Sequence, residues 1–279
     1  MNPHKKSVKY GGSCDEVSGD FSCKKVDGSD VLLGKGTYGS VYLVEKVALP
    51  GVEYAMKVFD DLDEYKYELN ILNKIKDISN TTEIIDTYPN LPVTNTPDAN
   101  VGYIVMRYFA GGDLYKNLET ITELELVTCI KQIAAVLVKL HGMDPPIYHN
   151  DVKPENIMLH KDGGIIEAYL VDYGLATETY PSVHGTKGYI DHVLHKADEG
   201  SVLLEHDTYG IYIILKEYIT YLDFMNLKMT NLTETWFRTT NFNRKLLNVT
   251  DKYVEMYENI KDMVIYDGIY DCLSYLDHY

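Results

Sequence analysis

The sequence has 279 residues, 45% hydrophobic and 24% charged, which is enough apolar material for a sizeable core in one domain or one domain of two lobes, and too much for a disordered chain. A formal net charge of −16 argues against a nucleic-acid binder, which needs a basic surface to displace counterions, and fits basic partners instead. Four cysteines without a CxxC pair, no apolar leader and no apolar run long enough to cross a bilayer argue against a zinc site, a disulfide framework and a membrane span, and lead us to expect an intracellular, cytoplasmic protein.

Residues 1–27 are rich in Gly, Ser, Lys and Asp and read as a flexible N-terminal arm. Segments 31–34, 40–47 and 53–59 are β-branched, aromatic and partly alternating, and predict three strands joined by turns. Leu62, Tyr65, Leu69, Leu72 and Ile75 then recur at three- and four-residue steps, the stripe of an amphipathic helix. Residues 77–100 should hold at least one further strand, whose position the pattern leaves open. A strand over 103–108 is broken by Ala110-Gly111-Gly112, which reads as a hinge into a second lobe. Leu124, Val127, Ile130, Ala134, Leu137 and His141 predict a long helix. Segments 157–159 and 165–171 flank Lys161-Asp162-Gly163-Gly164, a hairpin turn. Residues 208–219 are apolar on nearly every side and predict a helix in the middle of a lobe. His192 and His195 form an isolated HxxH, which we read as structural because two histidines do not close a metal site.

Several segments carry chemistry. Gly34-Lys35-Gly36-Thr37-Tyr38-Gly39-Ser40-Val41 is a GxGxxGxV match. A dinucleotide fingerprint would open a helix after its third glycine. Here Ser40-Val41-Tyr42-Leu43-Val44 reads as strand, so the loop is a hairpin suited to covering phosphates. In Tyr54-Ala55-Met56-Lys57, the small Ala55 and cationic Lys57 share one strand face, and Glu68 on the following helix is placed to pair with Lys57. His149-Asn150-Asp151-Val152-Lys153-Pro154-Glu155-Asn156 offers a carboxylate to receive or orient a hydroxyl proton, a cation for a moving phosphoryl group and an amide oxygen for Mg²⁺. Asp172-Tyr173-Gly174 follows at a strand end, with a hard oxygen ligand of the same kind.

In this order the segments resemble the eukaryotic-type protein kinase family, Ser/Thr kind, over about residues 28–215 and weakly beyond. The resemblance implies an α+β, bilobal protein kinase fold over 28–279: a small β-rich N-lobe with one main helix (about 28–107), a hinge (about 108–112) and a larger helical C-lobe (about 113–279), with ATP between the lobes. It implies catalytic roles for Asp151, Lys153, Lys57 and Glu68, and Mg²⁺ ligation by Asn156 and Asp172. ATP would lie under Gly34, Lys35, Gly36, Thr37, Tyr38 and Gly39, with Val41, Ala55 and Met158 about the base. Met106 would be the gatekeeper, the backbone of Arg107 and Phe109 would bond adenine, and Asp113 would meet the ribose or a basic substrate residue. Leu72, Tyr173 and His149 would stack as a spine onto the helix carrying Asp207. Lys153 and Gly185-Thr186-Lys187-Gly188-Tyr189 match the Ser/Thr pattern, which makes protein Ser/Thr hydroxyls, with basic flanks, the expected acceptor.

The pattern departs from the family in four places. Asn150 replaces an arginine that would receive an activation-loop phosphate, which implies activity without phosphorylation of Thr177, Thr179, Tyr180 or Ser182. Asp191-His192-Val193 stands where APE is usual, Tyr173 replaces a Phe, and the tail after Asp207 follows no family pattern. The scarcity of arginine and abundance of Lys, Asn, Ile and Tyr resemble kinases of large DNA viruses, which would place the protein in a host cell. The alternatives are an ATP-binding pseudokinase acting through interactions, a small-molecule phosphotransferase and a noncatalytic ATP sensor; Lys57, Asp151 and Asp172 are all present, against the first, and Lys153 and the GTxxY stretch argue against the second.

Overall fold

The computed structural model describes residues 14, 20–36, 39–93, 96–178, 207, 208, 210, 211, 213–215 and 218. They fall into two compact units, residues 1–77 with 82–109 and residues 78–81 with 110–279.

The first unit is built on antiparallel strands. These are β1 (Phe21–Cys23), β2 (Lys25–Val26), β3 (Ser29–Asp30), β4 (Leu32–Lys35), β5 (Gly39–Lys46), β6 (Leu49–Phe59), β7 (Ile84–Val93) and β8 (Thr96–Arg107), with helix α1 (Leu62–Ile75) between β6 and β7. Six strands form one sheet in the order β1-β5-β6-β8-β7, with β4 also paired to β5. Alternation along the strands sorts side chains onto two faces. Val44, Met56, Val58, Tyr103 and Val105 pack with Phe21 and Cys14 on one face. Register then puts Val41 opposite Lys57, Ala55 opposite Met106 and Lys57 opposite Ile104 on the other face. Helix α1 starts at Asp61, whose carboxylate accepts the backbone N–H of Asp63 and Glu64. It buries Tyr65, Glu68, Ile71, Leu72 and Ile75. At Gly102 the strand runs so close to α1 that a Cβ would lie 2.4 Å from the Tyr65 ring.

Two expectations change here. The arm assigned to residues 1–27 contains strands: Phe21–Cys23 pairs with β5 and Lys25–Val26 with β3. And Cys14 and Cys23 are joined in a disulfide, where the sequence suggested none. Their Cα atoms are 5.9 Å apart because β1 delivers Cys23 to the same apolar cluster that Cys14 fills at 0% exposure. A nine-residue separation outside any motif gave no sign of this pairing. The strand left unplaced between residues 77 and 100 is β7. It lies at the sheet edge, carries Pro89 and Pro92 and shifts register repeatedly, so its alternation is broken.

The second unit contains α2 (Leu114–Asn117), α3 (Glu123–His141), β9 (Ile157–Asp162) and β10 (Ile165–Leu170). A capping box of Thr122 and Glu125 opens α3. Ile130, Ile133, Ala134, Leu137 and Leu140 of α3 are fully buried, as are Ile157, Leu159, Ala168 and Leu170 of the β9–β10 hairpin. Residues 207, 208, 210, 211, 213–215 and 218 are helical and buried. No helix among the described residues is long and apolar enough to cross a membrane.

Candidate active site

The glycine hairpin joins β4 to β5, closed by the Gly36 N–H donating to Gly39 O at 2.9 Å. Its three glycines differ in what they do. Gly39 has φ 155, and a Cβ there would lie 2.1 Å from the Val58 carbonyl oxygen, so the fold itself requires glycine. Gly34 would meet nothing within 4 Å and Gly36 only Gly39 O at 3.9 Å, and neither has a positive φ. The backbone does not need glycine at those two positions. What their bareness provides is open ground over the hairpin for a group that must approach the backbone. Gly39→Ala should therefore lower the unfolding midpoint of the first unit by several degrees, with strain and a backbone clash as the cause. Gly36→Ala should leave the melting temperature within about a degree but weaken nucleotide affinity by roughly tenfold, a loss of about 1.4 kcal/mol. Thermal scans with and without ATP separate the two outcomes.

Below the hairpin, Val41, Ala55, Lys57, Ile104 and Met106 share one sheet face by register. Lys57 Nζ donates to Glu68 Oε2 at 2.7 Å, the two residues being 7% and 3% exposed. Strand β6 and helix α1 thus hold a buried cation in a fixed place. Leu72, one turn further along α1, is buried at 1%. The Arg107 guanidinium lies 5.1 Å from the Phe109 ring, and the Arg107 N–H donates to Glu83 O at 3.1 Å. That backbone donor is already committed within the chain. Lys35 is exposed at the hairpin. Thr37 and Tyr38 lie outside the described residues.

In the second unit the segment after Tyr148 folds back on itself. Lys153 Nζ donates to Asp151 Oδ2 at 2.7 Å. Asn156 Nδ2 donates to the same oxygen at 2.9 Å and to the Asp151 carbonyl at 2.9 Å. A 3₁₀ turn over Pro154–Asn156 brings the amide back to the aspartate. Because its nitrogen is engaged, Asn156 keeps its carbonyl oxygen as a hard donor suited to a divalent cation. His149 links this loop to the end of β10: Nδ1 accepts the Asp151 N–H at 3.2 Å, so Nε2 carries the proton and donates to Val171 O at 3.1 Å. The His149 and Tyr173 rings meet edge to face at 4.8 Å. Asp172 is exposed beside them, in the left-handed conformation at φ 64.

Asp207 anchors the loop from beneath, which no spacing in the sequence expressed. Its Oδ2 accepts the His149 N–H at 2.8 Å and lies 2.9 Å from His141 Nε2, while Oδ1 accepts the Asn150 N–H at 2.8 Å. Three residues on, Gly210 runs against the same loop: a Cβ there would be 2.5 Å from Val152 O. Burial pushes the Asp207 carboxyl up, but the hydrogen bond and charge of His141 and the His149 N–H outweigh it and bring it down to about 2 from 3.8. A depressed carboxyl stabilises the fold fully above its unfolded value and loses that contribution as pH falls through the folded value. On the order of 2 kcal/mol should thus vanish between about pH 4 and pH 2, a slope that Asp207→Asn should lack, as urea midpoints at stepped pH would read.

Asp113 has a task inside the chain. Its carboxylate caps α2 through the Lys116 N–H at 2.8 Å and pairs with Lys116 Nζ at 2.7 Å. Met158 on β9 forms an isolated bridge with Asp113. The residues 185–189, the 191–193 stretch, His192, His195, Thr179, Tyr180 and Ser182 lie outside the described residues.

The protein kinase domain profile matches residues 29–260. The chain belongs to the protein kinase family. A MAP kinase-interacting serine/threonine-protein kinase of Caenorhabditis elegans is 32% identical over 162 residues, which is 55% of this chain and 21% of that protein. Calcium/calmodulin-dependent protein kinase type 1 of the same organism is 27% identical over 72% of this chain and 58% of its own length. Calcium-dependent protein kinase 7 of rice is 25% identical over 59% of this chain and 31% of its own length. The chain thus spans between about a fifth and three fifths of these relatives. In structure the kinase is similar to the PK-1 kinase of Cydia pomonella granulovirus, with a TM-score of 0.61, 17% identity and coverage of 86% and 87% of the two chains. The fold is that of protein kinases, with the sheet-rich first unit and helices in the second.

Within the first unit, bare Gly34 and Gly36 and the anchored Lys57 have the chemistry that phosphate oxygens would need. Within the second, Asn156 and Asp172 carry oxygens of the hard kind that Mg²⁺ takes. When bound, Mg-ATP would supply the transferable γ-phosphoryl group.

Proposed function

We propose that this kinase is catalytically active and transfers the γ-phosphoryl group of Mg-ATP to serine and threonine hydroxyls of proteins. The observation that carries this reading is the arrangement of one carboxylate oxygen, Asp151 Oδ2, with Lys153 Nζ at 2.7 Å and Asn156 Nδ2 at 2.9 Å. Phosphoryl transfer needs positioning and charge stabilisation more than covalent help, and these three groups serve both needs. Asp151 orients the acceptor hydroxyl and takes its proton. Lys153 holds the carboxylate in place and offsets charge on the transferred group. Lys57, fixed by Glu68, would hold phosphate oxygens, and Asn156 and Asp172 would hold the metal.

The Ser/Thr choice is supported by Lys153 and by the relatives, which are named as serine/threonine or calcium-dependent protein kinases. A net charge of −16 favours substrates with basic flanks.

The test is transfer of label from Mg-ATP to casein, a basic protein and the chain itself. Label on serine or threonine supports the proposal. ATP binding by thermal shift without any label would instead indicate an ATP-binding interaction protein.

A further inference from the structure

Asn150 precedes Asp151 with its backbone at φ 64 and its residue 2% exposed. That left-handed conformation suits asparagine far better than most residues with a Cβ. Its Nδ2 lies 3.0 Å from Leu175 O, 3.0 Å from Thr177 Oγ1 and 3.4 Å from Tyr148 O. Two of these partners are carbonyl oxygens, which only accept, so the nitrogen must be the end that faces residues 175–177. Beside it, Tyr148 and Thr177 exchange both backbone hydrogen bonds at 2.9 Å in an isolated bridge. Asn150 Oδ1 is buried without a partner among the described residues, so the amide is placed for what its nitrogen does.

We propose that Asn150 is a positioning residue: its neutral amide clamps Leu175 and Thr177 to the loop bearing Asp151, and holds them in the unmodified chain. The clamp rests on the kinase reading for its effect on turnover, but its geometry does not. A guanidinium at this position would bring a charge that calls for an anion. An amide is satisfied by a carbonyl and a hydroxyl, and the chain supplies both. The sign of modification follows. A phosphate on Thr177, which is half-buried, would crowd the acceptor that Asn150 uses and would loosen the segment rather than order it.

The experiment uses the full chain after phosphatase treatment, as wild type, Asn150→Gly, Asn150→Asp and Thr177→Val. Amide hydrogen exchange at Thr177 and steady-state phosphotransfer are both read. Asn150→Gly keeps the left-handed backbone and the N–H to Asp207 while removing the amide. Exchange at Thr177 should quicken by about tenfold and kcat fall by about tenfold, with KM for ATP within about twofold. Asn150→Asp should lose more activity at about pH 8 than at about pH 6 relative to wild type, because a protonated carboxyl regains a donor. Thr177→Val, which keeps the side-chain shape, should show a smaller loss of protection and decides the matter if Asn150→Gly does not fold. Unchanged protection in every folded variant, or wild-type activity abolished by phosphatase, would overturn the clamp. If wild type transfers no phosphate at all, the kinase reading fails while the exchange measurement still decides the clamp.

Discussion

Asp151→Asn should cut the rate of phosphotransfer by about a thousandfold or more, with ATP affinity and melting temperature nearly unchanged. Activity should fall because an amide cannot take a proton from the acceptor hydroxyl at neutral pH. Stability should hold because of the neighbours. Lys153 Nζ and Asn156 Nδ2 both donate to Asp151 Oδ2, and the carbonyl oxygen of an asparagine could turn toward both. The loop is also held independently of that side chain, through His149, Asn150 and Asp207. Single-turnover kinetics with calorimetric unfolding would check both halves of the expectation. Retained turnover would remove Asp151 from the mechanism, whereas a large drop in melting temperature would make its role structural.

Lys57→Met should lose activity to a similar degree and, unlike Asp151→Asn, should also lose stability. Its partner Glu68 is 3% exposed and sits 2.7 Å from the ammonium. Breaking a buried ion pair at one end leaves a desolvated charge and costs about 3–5 kcal/mol. Lys57→Met with Glu68→Gln should regain part of the stability and none of the activity. Urea unfolding of both single variants and the double variant gives the coupling directly. If Lys57→Met proves as stable as wild type at neutral pH, the pair contributes nothing to folding and serves only to position the lysine.

Several pieces of the candidate site were legible in the sequence because their spacing reflects local geometry. Alternation on β6 places Ala55 and Lys57 on one face, and the helical stripe of α1 turns Glu68 inward, so the pair could be expected. The short loop from Asp151 to Asn156 closes on itself within a single turn, and the residues of that turn are neighbours in the chain. Helix α3 and the β9–β10 hairpin were legible for the same reason: periodicity and turn residues are local signals.

What escaped the sequence depends on segments far apart in the chain. Asp207 lies 58 residues after His149, and nothing in either segment announces that one carboxylate accepts the backbone of the other. Asn150 looked like a loss, an arginine missing from a motif; only the return of residues 175–177 alongside Tyr148 makes its amide a clamp. Cys14 and Cys23 meet because β1 pairs with β5, and the edge strand β7 was obscured by prolines that a central strand would not tolerate. By itself the sequence determined the family and which polar groups lie close together locally, because motif spacing encodes which groups a single turn or strand face can present. Only the tertiary structure decided how those groups are held, because the anchoring hydrogen bonds run between segments that become neighbours only after the core has packed.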